Sequence, residues 1–179
     1  VIKHIMQKKR RVVALYAPSI AAQFKSAPGQ LEAAFSALGF DDVLEVALGA
    51  DIYADREAKE FEERMARGDV LMTTSCCSAY VRAVNIHVPA LKPCVSETRS
   101  PMHYTAEIAK QKDADCVTVF IGPCLAKRRE GFDDDAVDYV LSVEELRAFF
   151  IAKNIDIASL PAKLPDHVPT STGRGFAKT

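Results

Sequence analysis

Val117-Thr118-Val119-Phe120-Ile121-Gly122-Pro123-Cys124-Leu125-Ala126-Lys127 decides how this chain is read. A short run of β-branched and aromatic residues reads as a buried strand, Gly-Pro ends it, and a thiol follows at its carboxyl end. In an open α/β sheet, ligands gather in the loops beyond the carboxyl ends of the strands. A second run, Val70 to Thr73, leads in the same way into Thr74-Ser75-Cys76-Cys77-Ser78-Ala79-Tyr80. The two cysteine segments read as one metal site, and soft thiolate suits iron–sulfur chemistry or zinc.

Neighbouring side chains diverge, so an adjacent pair supplies one ligand more naturally than two. One thiol of Cys76-Cys77 then ligates, and the other stays free beside a positive centre that lowers its pKa and lets it shuttle protons. Lys127 stands three residues past Cys124 at an expected helical turn, where it can hydrogen-bond an anionic group carried by the metal. Standing alone, it would read as one of the solvated cations of Lys127-Arg128-Arg129. Cys94 and Cys116 read as structural, and the four histidines show no ligand-like spacing. Glu57 and Glu60 fall on a charged helix with Glu62 and Glu63. Glu57 flanks the expected apolar stripe of Ala58, Phe61 and Met65, and Glu60 points further out.

Further strands are expected at Val12–Tyr16 and Val43–Val46, with a short run at Tyr139–Leu141. Helices are expected over 30–38, ended by Gly39, then from about Asp55 to Arg67, over 78–84, and over 102–111 behind Ser100-Pro101. A capping box of Ser142 and Glu145 opens a last helix to about Lys153. Alternating strands and helices imply an α/β fold, a parallel sheet of about four strands flanked by helices.

The chain of 179 residues is 49% hydrophobic, enough for a packed core, and its formal charge is −1. The one basic cluster is Lys8-Lys9-Arg10-Arg11, so no nucleic-acid partner is indicated. No apolar run approaches the roughly 20 residues of a membrane span and no signal peptide is evident, which makes the cytoplasm the expected location. Five cysteines, an odd number, argue against a disulfide framework.

With both cysteine segments in view, the sequence resembles the catalytic domain of the iron-only (di-iron) hydrogenases. That family's Thr-Ser-Cys-Cys-x-Ala-Trp appears as Thr74 to Tyr80, and its Met-Pro-Cys-x-x-Lys-x-x-Glu as Gly122 to Glu130. Gly49-Ala50-Asp51, Arg99-Ser100-Pro101 and Val137 to Leu141 also fit. The resemblance implies that Cys77 and Cys124 are two of the thiolates holding a 4Fe-4S cluster linked to a di-iron subsite. It implies that Cys76 is the proton-relay thiol, that Lys127 bonds the subsite, and that Pro123, Ser100 and Pro101 line its pocket. Glu57, Ser96 and Glu60 become the relay stations out to solvent, and the reaction is the reversible reduction of protons to dihydrogen. Implied partners are protons and dihydrogen, a ferredoxin-like electron carrier or accessory Fe–S domain, and a second lobe carrying two more cysteines.

In those terms residues 1–11 are a basic leader, 12–155 the first α/β lobe, and 156–179 an extended tail leading to the missing second lobe. The first lobe alone is expected to be inactive. Three departures stand out: Gly122 where the family has methionine, Met102 where it has glutamine, and Tyr80 where it has tryptophan. They leave a non-catalytic sensor or partner-binding module on the same fold as an alternative. A cytosolic zinc or redox-thiol domain is the blander one.

Overall fold

Strand β1 (Val12–Tyr16) is buried at every position, and its alternate residues serve two different cores. Val12, Ala14 and Tyr16 face one side of the sheet, Val13 and Leu15 the other, which is why the segment is a continuous apolar run and not an alternating one. The computed structural model describes residues 1–163 apart from 25 and 28; the remainder of the expected tail, 164–179, lies outside the described residues. β1 is flanked by β2 (Asp42–Glu45) and β3 (Val117–Gly122), and β4 (Tyr139–Ser142) pairs with β3. All pairings are parallel, in the order β2-β1-β3-β4. The chain therefore reverses its direction of winding between β1 and β3. At that switch point the Ala17 N–H donates to the Ile121 carbonyl at 2.9 Å, so the loops after β1 and β3 leave side by side.

Helices α1 (Ile2–Gln7), α2 (Ala21–Phe24), α3 (Gln30–Leu38) and α8 (Val143–Ala152) lie with the first core. α3 ends at Gly39, which takes φ 103° where a side chain would be strained, and α8 opens on the expected capping box of Ser142 and Glu145. On the other face, α6 (Pro101–Lys112) contributes Met102, Ala106 and Ala109 to the second core, and α4 (Ala47–Ala66) packs on α6. α5 (Ser78–His87) and α7 (Lys127–Asp133) are the other α-helices among the described residues.

The sheet has four strands, but Val70–Thr73 is not one of them. Val70 is 98% exposed, and only Thr73 forms an isolated parallel bridge, to Val95. Topology explains the difference. α4 packs chiefly on α6, with Leu48 at its start reaching the second core, so the chain leaves the end of α4 away from any strand it could pair with. The Cys76-Cys77 segment thus starts from an irregular stretch and not from a sheet strand.

α4 also turns a different face inward from the one its apolar spacing suggests. Ala58 and Phe61 are exposed, whereas Tyr53, Glu57 and Arg64 are buried. Polar residues can take the inner face because each finds partners there; Arg64, for one, donates to the carbonyls of Pro93 and Val95 at 2.9 and 3.0 Å and pairs with Glu60 at 2.7 Å. The basic leader is in part the helix α1, whose Ile5 packs on the first core and whose neighbour Lys8 pairs with Asp41 at 2.9 Å. Residues 156–163 stay against this lobe: Ile157 is buried, Leu160 packs on the first core, and the Lys163 N–H donates to the Gly29 carbonyl at 2.9 Å.

Candidate metal centre

Cys124 sits just past β3, at the switch point, where the strand twist and the Gly122-Pro123 end of the strand bring it to the surface. Cys77 is the N-cap of α5; its Sγ accepts the Tyr80 N–H at 3.5 Å. Both thiols are free and exposed, and Cys76, adjacent to Cys77, is half-buried. One lysine ties the two segments together. The Lys127 N–H donates to the Cys124 carbonyl at 3.3 Å, and its ammonium donates to the Cys76 carbonyl at 3.3 Å. At 12% side-chain exposure Lys127 is not a solvated member of its basic run.

Glu130 holds that lysine in place. Its carboxylate pairs with Lys127 at 2.6 Å and accepts the hydroxyls of Ser78 and Ser100. Ser100 stands where an N-cap is expected for α6, but it gives its hydroxyl to Glu130 and makes no capping bond. Three segments that are remote in sequence, at 76–78, 100 and 124–130, therefore converge on one carboxylate. Beside it a cavity of about 620 Å3 opens, lined by Ser78, Arg82, Arg99, Ser100, Arg129 and Glu130 among others. Pro101 is buried at the first position of α6, and Pro123 is exposed beside Cys124.

Glu57 and Glu60 of α4 stand in two separate hydrogen-bonded groups. Glu57 is buried and accepts the Tyr53 hydroxyl, which lies 2.6 Å from Thr74 Oγ1; Thr74 Oγ1 lies 3.4 Å from Cys76 Sγ. Glu60 accepts the Ser96 hydroxyl at 2.5 Å, the Thr98 hydroxyl at 2.7 Å and the Glu97 N–H at 2.9 Å. Burial opposes its charge, but Ser96, the Glu97 and Thr98 donors and Arg64 outweigh it and hold the carboxyl down at about 2. Among the described residues no hydrogen bond joins Glu57 to Ser96.

The departures at Gly122, Met102 and Tyr80 each have a structural account. A Cβ on Gly122 would stand 2.8 Å from the Phe120 ring and 3.3 Å from Ala17, so the ring takes the room a methionine would need. Met102 is 1% exposed in the second core and does not line the cavity. Tyr80 donates its hydroxyl to Thr73 at 2.8 Å, a bond no tryptophan ring would make in that form. Glu130, Tyr53 and Thr74 are site residues that the sequence does not single out. The signals were present, since Glu130 closes the second quoted motif and Tyr53 stands one helical turn before Glu57.

On the far side of the cavity, His103 Nδ1 bonds the buried Asp134 at 2.9 Å. The bond to Asp134 raises the His103 pKa against the opposing effect of burial. Burial works against the Asp134 charge too, but the bonds from His103 and the Ala136 N–H outweigh it and lower its pKa. A lowered carboxyl contributes stability that is lost as pH falls through its folded pKa, and a raised imidazole contributes stability that is lost as pH rises through its own. The pair is therefore worth most in mildly acidic solution. Urea midpoints are expected to fall as pH rises from roughly 6 to 8, and His103→Gln is expected to flatten that fall; an unchanged slope in the variant would contradict the assignment.

The comparisons with known proteins agree with this fold. The family described as iron only hydrogenase large subunit, C-terminal domain, matches residues 10–179. The NADP-reducing hydrogenase subunit HndD of Solidesulfovibrio fructosivorans is 32% identical over 160 residues, covering 76% of this chain and 27% of that protein. Iron hydrogenase 1 of Clostridium pasteurianum is 28% identical over 186 residues, covering 88% of this chain and 31% of that protein. In structure, the FeFe-hydrogenase HydA1 of Chlamydomonas reinhardtii superimposes with a TM-score of 0.84 at 26% identity, over 93% of this chain and 49% of that one. The chain thus spans about half of the solved structure it matches and under a third of these two relatives. Among the described residues no helix is long and apolar enough to cross a membrane.

Proposed function

This chain belongs to the family formed by the C-terminal domain of iron-only hydrogenase large subunits, and from that premise we propose that it supplies half of a hydrogenase site. In this reading Cys77 and Cys124 are two of the four thiolates of a 4Fe-4S cluster joined to a di-iron subsite, the other two coming from a second lobe. The observation that carries the reading is the lysine tie: Lys127 joins the two cysteine segments by both ends of its residue, and Glu130 fixes it. The donor set fits the group. Two exposed, unpaired thiols on neighbouring segments offer soft anionic ligands, and a partly shielded ammonium beside them compensates negative charge. When bound, the cluster and its subsite supply the electrons and the iron at which two protons join to give dihydrogen.

The chain's own residues handle protons and shape. Cys76, half-buried next to the ligand thiol, is the first station. Glu57 takes the proton inside α4, and Ser96 and Glu60 carry it outward. With its carboxyl held near 2, Glu60 is a release point that does not retain a proton at neutral pH. Pro101 and Pro123 bring no N–H to the pocket, and Ser100 is held to Glu130. The electrons come from a ferredoxin-like carrier or an accessory Fe–S domain.

A sensing or partner-binding role on the same fold draws support from Gly122, whose missing side chain is filled by Phe120. Met102 lends it none, because that side chain lies in the core. The test is metal analysis of the full protein with its second lobe, prepared and reconstituted without oxygen, joined to measured hydrogen turnover with a chemical reductant. Iron and sulfide that disappear in both Cys77→Ala and Cys124→Ala, with turnover in the parent, are the expected result. Iron without turnover would favour the sensor, and stoichiometric zinc without iron would replace both readings with a zinc domain.

A further inference from the structure

Tyr53 is fully buried, yet its hydroxyl has three polar neighbours at the junction of α4 and the cysteine segment. It donates to Glu57, meets Thr74 Oγ1 at 2.6 Å, and accepts the Ser75 N–H at 3.3 Å. Thr74 Oγ1 in turn meets Cys76 Sγ at 3.4 Å. We propose that the Tyr53 and Thr74 hydroxyls form a direct proton wire between the Cys76 thiol and Glu57, with Tyr53 as its central station. The inference rests on the reading above that Cys76 and Glu57 carry protons, and it adds the two groups that connect them.

The supply of protons along the line limits how it can be filled. Each hydroxyl has one proton to donate, and three contacts must be filled along Cys76, Thr74, Tyr53 and Glu57. Where Tyr53 donates to Glu57, Thr74 must donate to Tyr53, and the thiol proton then points to Thr74. Where Thr74 donates to the Cys76 sulfur, Tyr53 must donate to Thr74, and Glu57 must carry the proton that points to Tyr53. No other arrangement fills all three contacts. The two arrangements differ by reversal of every bond, which is the change produced when Cys76 gives up its proton and Glu57 gains one. The transfer is balanced: three protons each move one place, no heavy-atom bond forms or breaks, and no electron moves.

The surroundings suit a shuttle that never ionises. Burial, aided by the neighbouring Glu57, raises the Tyr53 pKa, so the phenol stays an O–H that donates and accepts at once. The Ser75 N–H holds the oxygen against the cysteine segment and cannot itself enter the relay. A phenylalanine would fill the same buried space without the hydroxyl, so packing alone does not call for tyrosine here.

The test compares Tyr53→Phe, Thr74→Val and Thr74→Ser. In metal-free protein, infrared difference spectra against Glu57→Gln locate the Glu57 carboxyl band. Tyr53→Phe and Thr74→Val are expected to shift that band, and Thr74→Ser to return it to its place. A tyrosine that only packs would leave the band indifferent to Thr74. In the cluster-loaded full protein, the first two variants are expected to lose at least tenfold in hydrogen turnover and Thr74→Ser to recover most of it. Unshifted bands, or shifted bands with undiminished turnover in Tyr53→Phe, would overturn the wire. A parent that binds no iron would instead remove the hydrogenase reading, and the metal-free spectra would still decide whether the hydroxyl chain exists.

Discussion

Glu130→Ala is expected to destabilise the chain by about 3 kcal/mol in urea unfolding followed by far-UV circular dichroism. Tryptophan fluorescence is not an option, because the sequence has no tryptophan. The carboxylate receives one ammonium and two hydroxyls, from Lys127, Ser78 and Ser100. Removing one partner of a buried ion pair costs about 3–5 kcal/mol because the other charge is stranded. Lys127 and Glu130 keep 12% and 21% exposure, which allows water some relief and places the expectation at the lower end of that range. Ser100 is 5% exposed and loses the acceptor of its hydroxyl as well. Removing both charges gives the sharper reading. If the cost arises from a stranded ammonium, Lys127→Met combined with Glu130→Ala recovers at least half of it. A double variant no more stable than Glu130→Ala would mean that the serine bonds, and not the ion pair, hold the three segments together.

The elements legible in the sequence are those whose cause is local or whose burial is complete. β1 and β3 are apolar at nearly every position because both their faces are covered, and the Ser142 and Glu145 box is a contact between residues three apart. Val70 to Thr73 has the same local composition as a strand but no neighbour to pair with, and its sequence carries no trace of where α4 ends relative to the sheet. The inner face of α4 was hidden for the opposite reason. Glu57 and Glu60 read as members of a charged helix, with Glu57 only flanking its apolar stripe, until Tyr53, Ser96 and Thr98 are placed around them. Arg64 gains its inward place only from the carbonyls of Pro93 and Val95. The site divides along the same line. Cys76, Cys77, Cys124 and Lys127 stand in short motifs, whereas the role of Glu130 as their common anchor depends on serines 30 and 52 residues away.

Gly49→Ala is expected to cost about 3 kcal/mol or more, at the upper end of what overpacking produces, although it adds a single methyl to a helix. In an exposed helix the same change would stabilise by up to about 1 kcal/mol, because alanine is the better helix former. Here the sign reverses. Gly49 is buried in the first turn of α4 where it crosses the first turn of α6, and a Cβ would stand 2.1 Å from the Pro101 carbonyl oxygen and 2.4 Å from Thr105 Oγ1. Both are fixed, since Thr105 Oγ1 donates to the Pro101 carbonyl at 2.9 Å and accepts the Gly49 N–H at 3.2 Å. Neither can swing aside as the end of a long side chain would, so the helices must part. Parting them acts on the site as well as on stability. α4 carries Glu60, and the loop of its partners Ser96 and Thr98 runs into the start of α6, so that carboxylate would separate from its donors. The urea midpoint is therefore expected to drop together with a shift of the infrared band of the Glu60 carboxylate, which loses its Ser96 and Thr98 donors. A destabilisation below about 1 kcal/mol would show that the α4–α6 crossing yields to a methyl group, and that the close approach does not fix where Glu60 stands.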